Sequence, residues 1–301
     1  MESLVYNYYG YLVNKIDNGT FEYEGFIFLL VSVTDNENDL INLSNFSLTL
    51  QNLFNNEIVY FVKNKYQKII SKGDDNASIC LLTYKKDSLA SLNDILIMQN
   101  RYNNFNSTPV DLKIIIKLWD ERTDYIINQC LISLNLENDN DKELYDHSLY
   151  AYGMAMNAIE YLVDLSIDYP NNYYPTTLNH RRIKCIKKFE LFNPFNFILD
   201  HSSRDLAELY KNNLIDLNTL LSITNSYAYN LNEYEYLLAR VMFPTFIFDL
   251  LEDLATTTVT NKKEQIFKAI DKQNNQLKKI KSLMKTLSSN YNIRPIKWLN
   301  Q

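Results

Sequence analysis

The sequence predicts an α+β protein of two lobes: a small antiparallel β-rich lobe over residues 1–85, and a larger helical lobe over 86–301 that carries a β-hairpin at about 181–199. Three observations predict it. Up to about residue 85 the apolar residues fall in short strand-like runs, and after Lys85 they recur at steps of three and four. One later stretch, 181–199, interrupts that helical period with short apolar runs around Asn193-Pro194. A chain of 301 residues has room for two such units at about 150 residues each.

In the first lobe, residues 11–16 and 21–33 flank Asp17-Asn18-Gly19, a hairpin signal because glycine accepts the positive φ that a tight turn demands. Strand-like runs at 58–62, 66–71 and 78–84 continue the sheet. Between them, residues 39–54 place Leu and Ile at helical spacing, so one helix is expected within the sheet. In the second lobe, helices are expected at about 110–134, 144–168, 203–222, 233–255 and 262–288, with a polar acidic connector at 136–142. The last helix interleaves lysines with Ile266, Ile270, Leu277, Ile280, Met284 and Leu287, so it should pack one face and solvate the other. Docking of its basic face to an acidic partner is a second reading.

Composition excludes several function classes. Five glycines (Gly10, Gly19, Gly25, Gly73, Gly153) are too few for a G-x-G-x-x-G or G-x-x-x-x-G-K-[ST] loop, whose backbone must approach phosphate where a Cβ would clash. The 39 asparagines and 23 tyrosines, with many Ile and Lys, follow AT-rich codons, so they read as genome composition before low complexity. Cys80, Cys130 and Cys185 are widely spaced, which fits reduced thiols, and no Cys or His pair has zinc-ligand spacing. A net charge of −6 argues against nucleic acid as a partner. That charge is uneven: residues 261–301 hold ten Lys/Arg against two acids, so the first 260 residues carry −14. The start Met1-Glu2-Ser3 is not positively charged, and no apolar run approaches the roughly 20 residues of a membrane span, so a cytoplasmic chain is expected.

A β-rich lobe with one helix, followed by a helical lobe with a hairpin, is the element order of kinase-like folds. The residues around the hairpin add detail. His180-Arg181-Arg182 leads, eighteen residues on from Arg182, to Asp200 at the end of Phe197-Ile198-Leu199-Asp200, and then to Arg204-Asp205-Leu206-Ala207. This resembles the aminoglycoside-phosphotransferase-like kinases, where H-G-D-x-x-x-x-N precedes a hairpin ending in I-D-[FW] and a D-L-A helix. The whole chain also resembles the endospore coat-associated proteins of the CotS/YutH type. The segments that carry this are Tyr8-Tyr9-Gly10, Phe21-Glu22-Tyr23-Glu24-Gly25-Phe26, Phe28-Leu29-Leu30-Val31, Ala158-Ile159-Glu160-Tyr161-Leu162-Val163-Asp164, the His180 loop, the run from Asp200 to Glu208, and Leu238-Ala239-Arg240-Val241-Met242-Phe243-Pro244. The resemblance implies a two-lobed protein-kinase-like fold and a role among other spore coat or sporulation proteins. It also implies a place in the mother cell or spore coat of a spore-forming, Firmicutes-like source.

Set against that family's chemistry, the sequence lacks most of what phosphoryl transfer needs. The N-terminal hairpin has Gly19 alone where a glycine-rich loop would lie, and the third-strand candidate, residues 26–33, has no Lys. Position 182, where the loop Asp belongs, is Arg, and position 187, where the metal-binding Asn belongs, is Lys. Asp200 alone survives as a possible residual metal position, and His180 is expected to be structural. Arg181, Arg182, Lys184, Lys187 and Lys188 form a basic cluster, either a solvated loop or an anion site. Asp200-His201 with Ser202 or Ser203 has the residue types of a hydrolytic triad, but adjacent residues rarely converge. Ser202-x-x-Asp205 instead suggests a capping box, with both residues structural. Tyr145, Tyr150, Tyr152, Tyr161 and Tyr169 around one helix read as core and rim packing before a binding surface. The expectation is a catalytically degenerate, pseudokinase-like protein with no catalytic residues, cofactor or metal. Its alternatives are an active small-molecule kinase using ATP and magnesium, and a nucleotide-binding regulator without transfer.

Overall fold

Strands β1 (Thr20–Tyr23) and β2 (Phe26–Val33) are joined by the two-residue turn Glu24-Gly25, both at positive φ, the geometry that matches the twist of paired strands. The computed structural model describes residues 1–17, 19–34, 36–53, 58–73, 77–86, 90–102, 108–256 and 261–296. The turn expected at Asp17-Asn18-Gly19 is not the one between these strands. Asp17 and Thr20 form a single bridge, Gly19 has a φ of 75°, and Asn18 lies outside the described residues. Residues 11–16 form no strand; Tyr11, Val13 and Ile16 instead cover a cluster of Val5, Phe21, Phe28 and Leu81. Val5 comes from an N-terminal helix, α1 (Glu2–Tyr9), which ends where Gly10 turns left-handed.

Helix α2 (Glu37–Leu53) follows β2 as its Leu/Ile spacing requires, and Ser47 ties it to the chain beyond by donating to the Val59 carbonyl. The short strands β3 (Tyr60–Val62) and β4 (Ile70–Lys72) both pair antiparallel with β5 (Ser78–Lys85), which also pairs with β2 along its whole length. Among the described residues the sheet has five strands in the order β1-β2-β5-β3, with β4 also on the central β5.

The chain divides into two compact units, one of Met1–Met98 with Cys185–Ile198 and one of Gln99–Lys184 with Leu199–Gln301. Segment 185–198 joins the first unit because its rings pack there: Phe189 against Tyr84, Phe195 edge-on to Phe61 at 5.5 Å, and Phe197 edge-on to Phe46. The stretch expected as a hairpin at 181–199 is more elaborate than a simple one. Its strands are β6 (Thr177–His180) and β7 (Phe197–Asp200), which make a two-stranded sheet. Between them lie a short helix, α6 (Lys188–Phe192), and a 3-10 turn (Pro194–Asn196). Asn193 starts that turn by accepting from the Phe195 N–H, and Pro194 presets its φ.

The second unit is helical. Helix α3 (Leu92–Tyr102) begins in the first unit's sequence and ends in the second's; α4 (Leu112–Tyr125), capped by Asp111, continues through a π turn and a 3-10 turn to Ser133. The connector expected at 136–142 ends early because Asn138 caps α5 (Asp139–Asp168). Two of the expected helices are each two. Asn213 at φ 59° lies between α7 (Ser203–Lys211) and α8 (Leu217–Ser226), and Pro244 separates α9 (Leu231–Met242) from α10 (Thr245–Thr256). Helix α11 (Lys262–Asn290) buries Ile266, Ile270, Ile280, Leu283 and Leu287 and leaves most of its lysines in solvent. Leu162, Leu165, Tyr234, Leu237, Leu238 and Phe248 are wholly buried in this unit's core.

Candidate functional site

The last residue of β6 is His180, and the first turn of α7 presents Asp205 to it. Asp205 is wholly buried; Oδ1 accepts from the His180 N–H at 2.8 Å and Oδ2 lies 2.7 Å from the ring Nδ1. Arg204 Nε, from the same turn, donates to the His180 carbonyl at 2.8 Å. Both carboxylate oxygens of Asp205 are thus spent on His180. The capping box expected at Ser202-x-x-Asp205 does not form: Ser202 makes no side-chain cap bond, and its hydroxyl pairs with the Tyr229 hydroxyl at 2.6 Å. Asp205 is drawn away because a buried N–H and a ring nitrogen need a charged acceptor more than a helix start does.

Asp200, at the end of β7, is buried and clamped by two guanidinium groups. Arg240 Nη2 donates to both of its oxygens at 2.6 Å, and Arg204 Nη1 to Oδ2 at 2.9 Å. The His201 N–H donates to Oδ1 as well, at 2.7 Å. Burial works against its ionisation, but the Arg240 and Arg204 charges outweigh burial and hold the carboxyl below the usual carboxylate range. A magnesium ion needs several oxygen ligands, and at Asp200 it would have to displace two cations. Among the described residues no three His, Cys, Asp or Glu side chains come together to hold a metal. The donor set at Asp200 does not fit a magnesium ion.

Arg182, expected from the sequence at the degenerate loop position, is committed to a carboxylate. Its Nε and Nη2 donate to Asp249 at 3.0 and 2.9 Å, and Asp249 also accepts from Arg122, which pairs with Glu252 in turn. Burial raises the Asp249 carboxyl, but the Arg182 hydrogen bonds and the charges of Arg182 and Arg122 bring it down to about 2. Glu208 and Lys211 form a further buried pair at 2.7 Å. Burial again opposes the charge on Glu208, and Lys211 with Arg182 reverses the balance and lowers it.

The five basic residues of the expected anion cluster do not present five solvated cations. Arg181, Arg182 and Lys184 belong to the second unit and Lys187 and Lys188 to the first; Arg182 is committed to Asp249, and Lys188 is buried near the Phe192 ring. Arg181, Lys184 and Lys187 are exposed. The triad types next to Asp200 are also separated in role. His201 bonds Ser203 through Nδ1 and Glu233 through Nε2, while Asp200 turns to its arginines. Glu233 closes the capping box of α9 with Asn230. Sequence reasoning does not reach Arg240, Asp249, Glu208 and Lys211. Only charged types in otherwise apolar helical stretches, such as Arg240 in Leu238-Ala239-Arg240-Val241, signal buried charge.

Residues 2–287 match the family described as spore coat putative kinase YutH. The chain belongs to that family. Over 137 residues it is 27% identical to the endospore coat-associated protein YutH of Bacillus subtilis (strain 168), a stretch that spans 40% of this chain and 40% of that relative. Among solved structures, the chain is similar to an aminoglycoside phosphotransferase from Alicyclobacillus acidocaldarius, with a TM-score of 0.60, 10% identity and 96% of each chain covered. It is also similar to a spectinomycin phosphotransferase solved with ADP and spectinomycin, with a TM-score of 0.60, 13% identity, and 94% of this chain and 97% of that one covered. The fold is therefore aminoglycoside-phosphotransferase-like, α+β with a small antiparallel sheet and a larger helical part. No helix among the described residues is long and apolar enough to cross a membrane.

Proposed function

We propose that this member of the spore coat family is a catalytically degenerate kinase-like protein. Its role is structural or interaction-based in spore coat formation, exercised among other coat or sporulation proteins in the mother-cell cytosol or at the spore surface, with no nucleotide or metal. One observation carries the reading. Asp200, the possible residual metal position of the kinase-like motif, is neutralised inside the protein by Arg240 and Arg204 at 2.6 and 2.9 Å. Arg182 adds to it: a guanidinium cannot accept a proton from an attacking hydroxyl, and here it holds Asp249 instead. The spore setting is supported by the family and by the B. subtilis coat-associated relative.

Thermal unfolding with and without magnesium and ATP tests the first half, and a fluorescent fusion followed through sporulation tests the second. Unchanged unfolding and a fusion enriched on developing spores are expected. Magnesium-dependent stabilisation by ATP points to the nucleotide-binding regulator, and transfer of label from ATP to an acceptor points to the active kinase. A fusion made constitutively in growing cells and absent from spores contradicts the coat role.

A further inference from the structure

Two long helices of the second unit carry faces of opposite charge. The helices α5 and α11 have 30 and 29 residues, so each is about 44 Å long at 1.5 Å per residue. On α5, Tyr145, Leu149, Tyr152, Met156 and Val163 follow one another at steps of four, three, four and seven, the spacing of one helical stripe. Leu149, Tyr152 and Val163 are exposed, Tyr145 and Met156 are half-buried, and Ile167, four residues further on, is 68% exposed. The helix packs α4, α9, α10 and α11 through another side, where Leu144, Ala151, Ala155 and Leu162 are buried. Asp146 and Glu160, fourteen residues apart, border the exposed stripe on one flank, and both are exposed with no basic partner among the described residues. On α11, Lys278, Lys281 and Lys285 share one face at steps of three and four, exposed and with no acidic partner among the described residues.

We propose that the α5 face of one copy receives the α11 face of a second copy of this chain. The occupant follows from charge and from the build of the side chains. Lysine carries a four-carbon apolar stem under its ammonium group, so the row from Lys278 to Lys285, about 10 Å along its axis, can cover Leu149 and Tyr152 with stems while a head reaches Asp146. Glu160, about 21 Å from Asp146 along α5, adds attraction at longer range in low salt. The Tyr152 ring adds attraction for an ammonium group. Two α11 faces would oppose lysine to lysine, and two α5 faces mostly acid to acid, with Lys142 the one exposed lysine of that helix, so like faces repel. The contact is therefore head-to-tail. Each copy in a pair still offers one unused face, so copies add into a ring or an open chain according to the rotation between neighbours. Nothing in this rests on whether the chain transfers phosphate.

Sedimentation velocity on the purified full chain tests it. At low salt the wild type should form species larger than a monomer as its concentration rises, and these should disperse near 1 M salt, where screening acts within about 3 Å. Two charge-reversed variants follow: Asp146→Lys with Glu160→Lys, and Lys278→Glu with Lys281→Glu and Lys285→Glu. Each alone should remain monomeric at low salt, and an equal mixture of the two should associate, because each then offers the face that the other lacks. Circular dichroism checks that both fold. If a multiple variant does not, the single changes Glu160→Lys and Lys281→Glu are read the same way, each weakening association alone and recovering it on mixing. A wild type that stays monomeric at low salt at every concentration, association that persists in either variant alone, or a mixture that stays monomeric overturns the proposal.

Discussion

Replacing Asp205 with alanine removes the carboxylate that α7 places on the His180 loop. The His180 N–H at 2.8 Å and the ring Nδ1 at 2.7 Å then lose this acceptor inside a fully buried site. Each stranded polar group costs about 1–3 kcal/mol, so the pair costs about 2–6 kcal/mol. A helix-capping role alone would cost about 0.5–2 kcal/mol. Asp205→Asn keeps an oxygen for the His180 N–H and loses the second acceptor, so it should cost about half as much as the alanine. Urea unfolding followed by tryptophan fluorescence reads the second unit, because Trp119 lies on α4 and stacks on Phe243 with ring centroids 4.3 Å apart. The expected result is a midpoint lowered strongly by Asp205→Ala and moderately by Asp205→Asn. Midpoints unchanged in both variants would refute the assignment of Asp205 as an anchor of this loop.

Two further predictions rest on neighbouring contacts. Asp249 ionises with a pKa of about 2 in the folded chain, below its unfolded value, so its contribution is present above about pH 4 and is lost as the pH falls toward 2. The shift corresponds to about 2 kcal/mol, so Asp249→Asn should flatten the acid limb of a stability-against-pH curve by that order, and an identical limb in both proteins counts against the Arg182–Asp249 clamp. Ser202 and Tyr229 share a hydroxyl pair at 2.6 Å, so Ser202→Ala and Tyr229→Phe should each cost about 1 kcal/mol or more, and the double variant less than their sum. Strict additivity in that cycle would return Ser202 to a capping or solvent role.

What the sequence makes legible in this fold is set by local pattern. The change of period after Lys85, the Leu/Ile spacing of α2 and the alternating lysines and apolar residues of α11 each encode an element in adjacent residues. The His180–Asp205 contact is also within reach, because a short run from Asp200 into α7 leaves Asp205 few directions to face. What escapes depends on distant partners. Asp200 is neutralised by Arg240, forty residues on, and Arg182 by Asp249, sixty-seven residues on, and spacing carries no information about such pairs. The β1–β2 turn escapes because Asn18-Gly19 and Glu24-Gly25 compete as turn signals, and Gly19 does adopt positive φ without joining the two strands. Segment 185–198 packs with the first unit through rings whose partners, Phe46, Phe61 and Tyr84, lie more than a hundred residues earlier.

On the proposed reading, the kinase-like frame carries no phosphoryl transfer, since Asp200 is held by arginines and Arg182 stands in the place of a base. The most direct measurement is a steady-state assay of the purified chain with γ-labelled ATP and magnesium against sugars, aminoglycosides and choline-like alcohols. No labelled product is expected above that of Asp200→Ala run beside it. Turnover by the wild type that Asp200→Ala abolishes would contradict the reading.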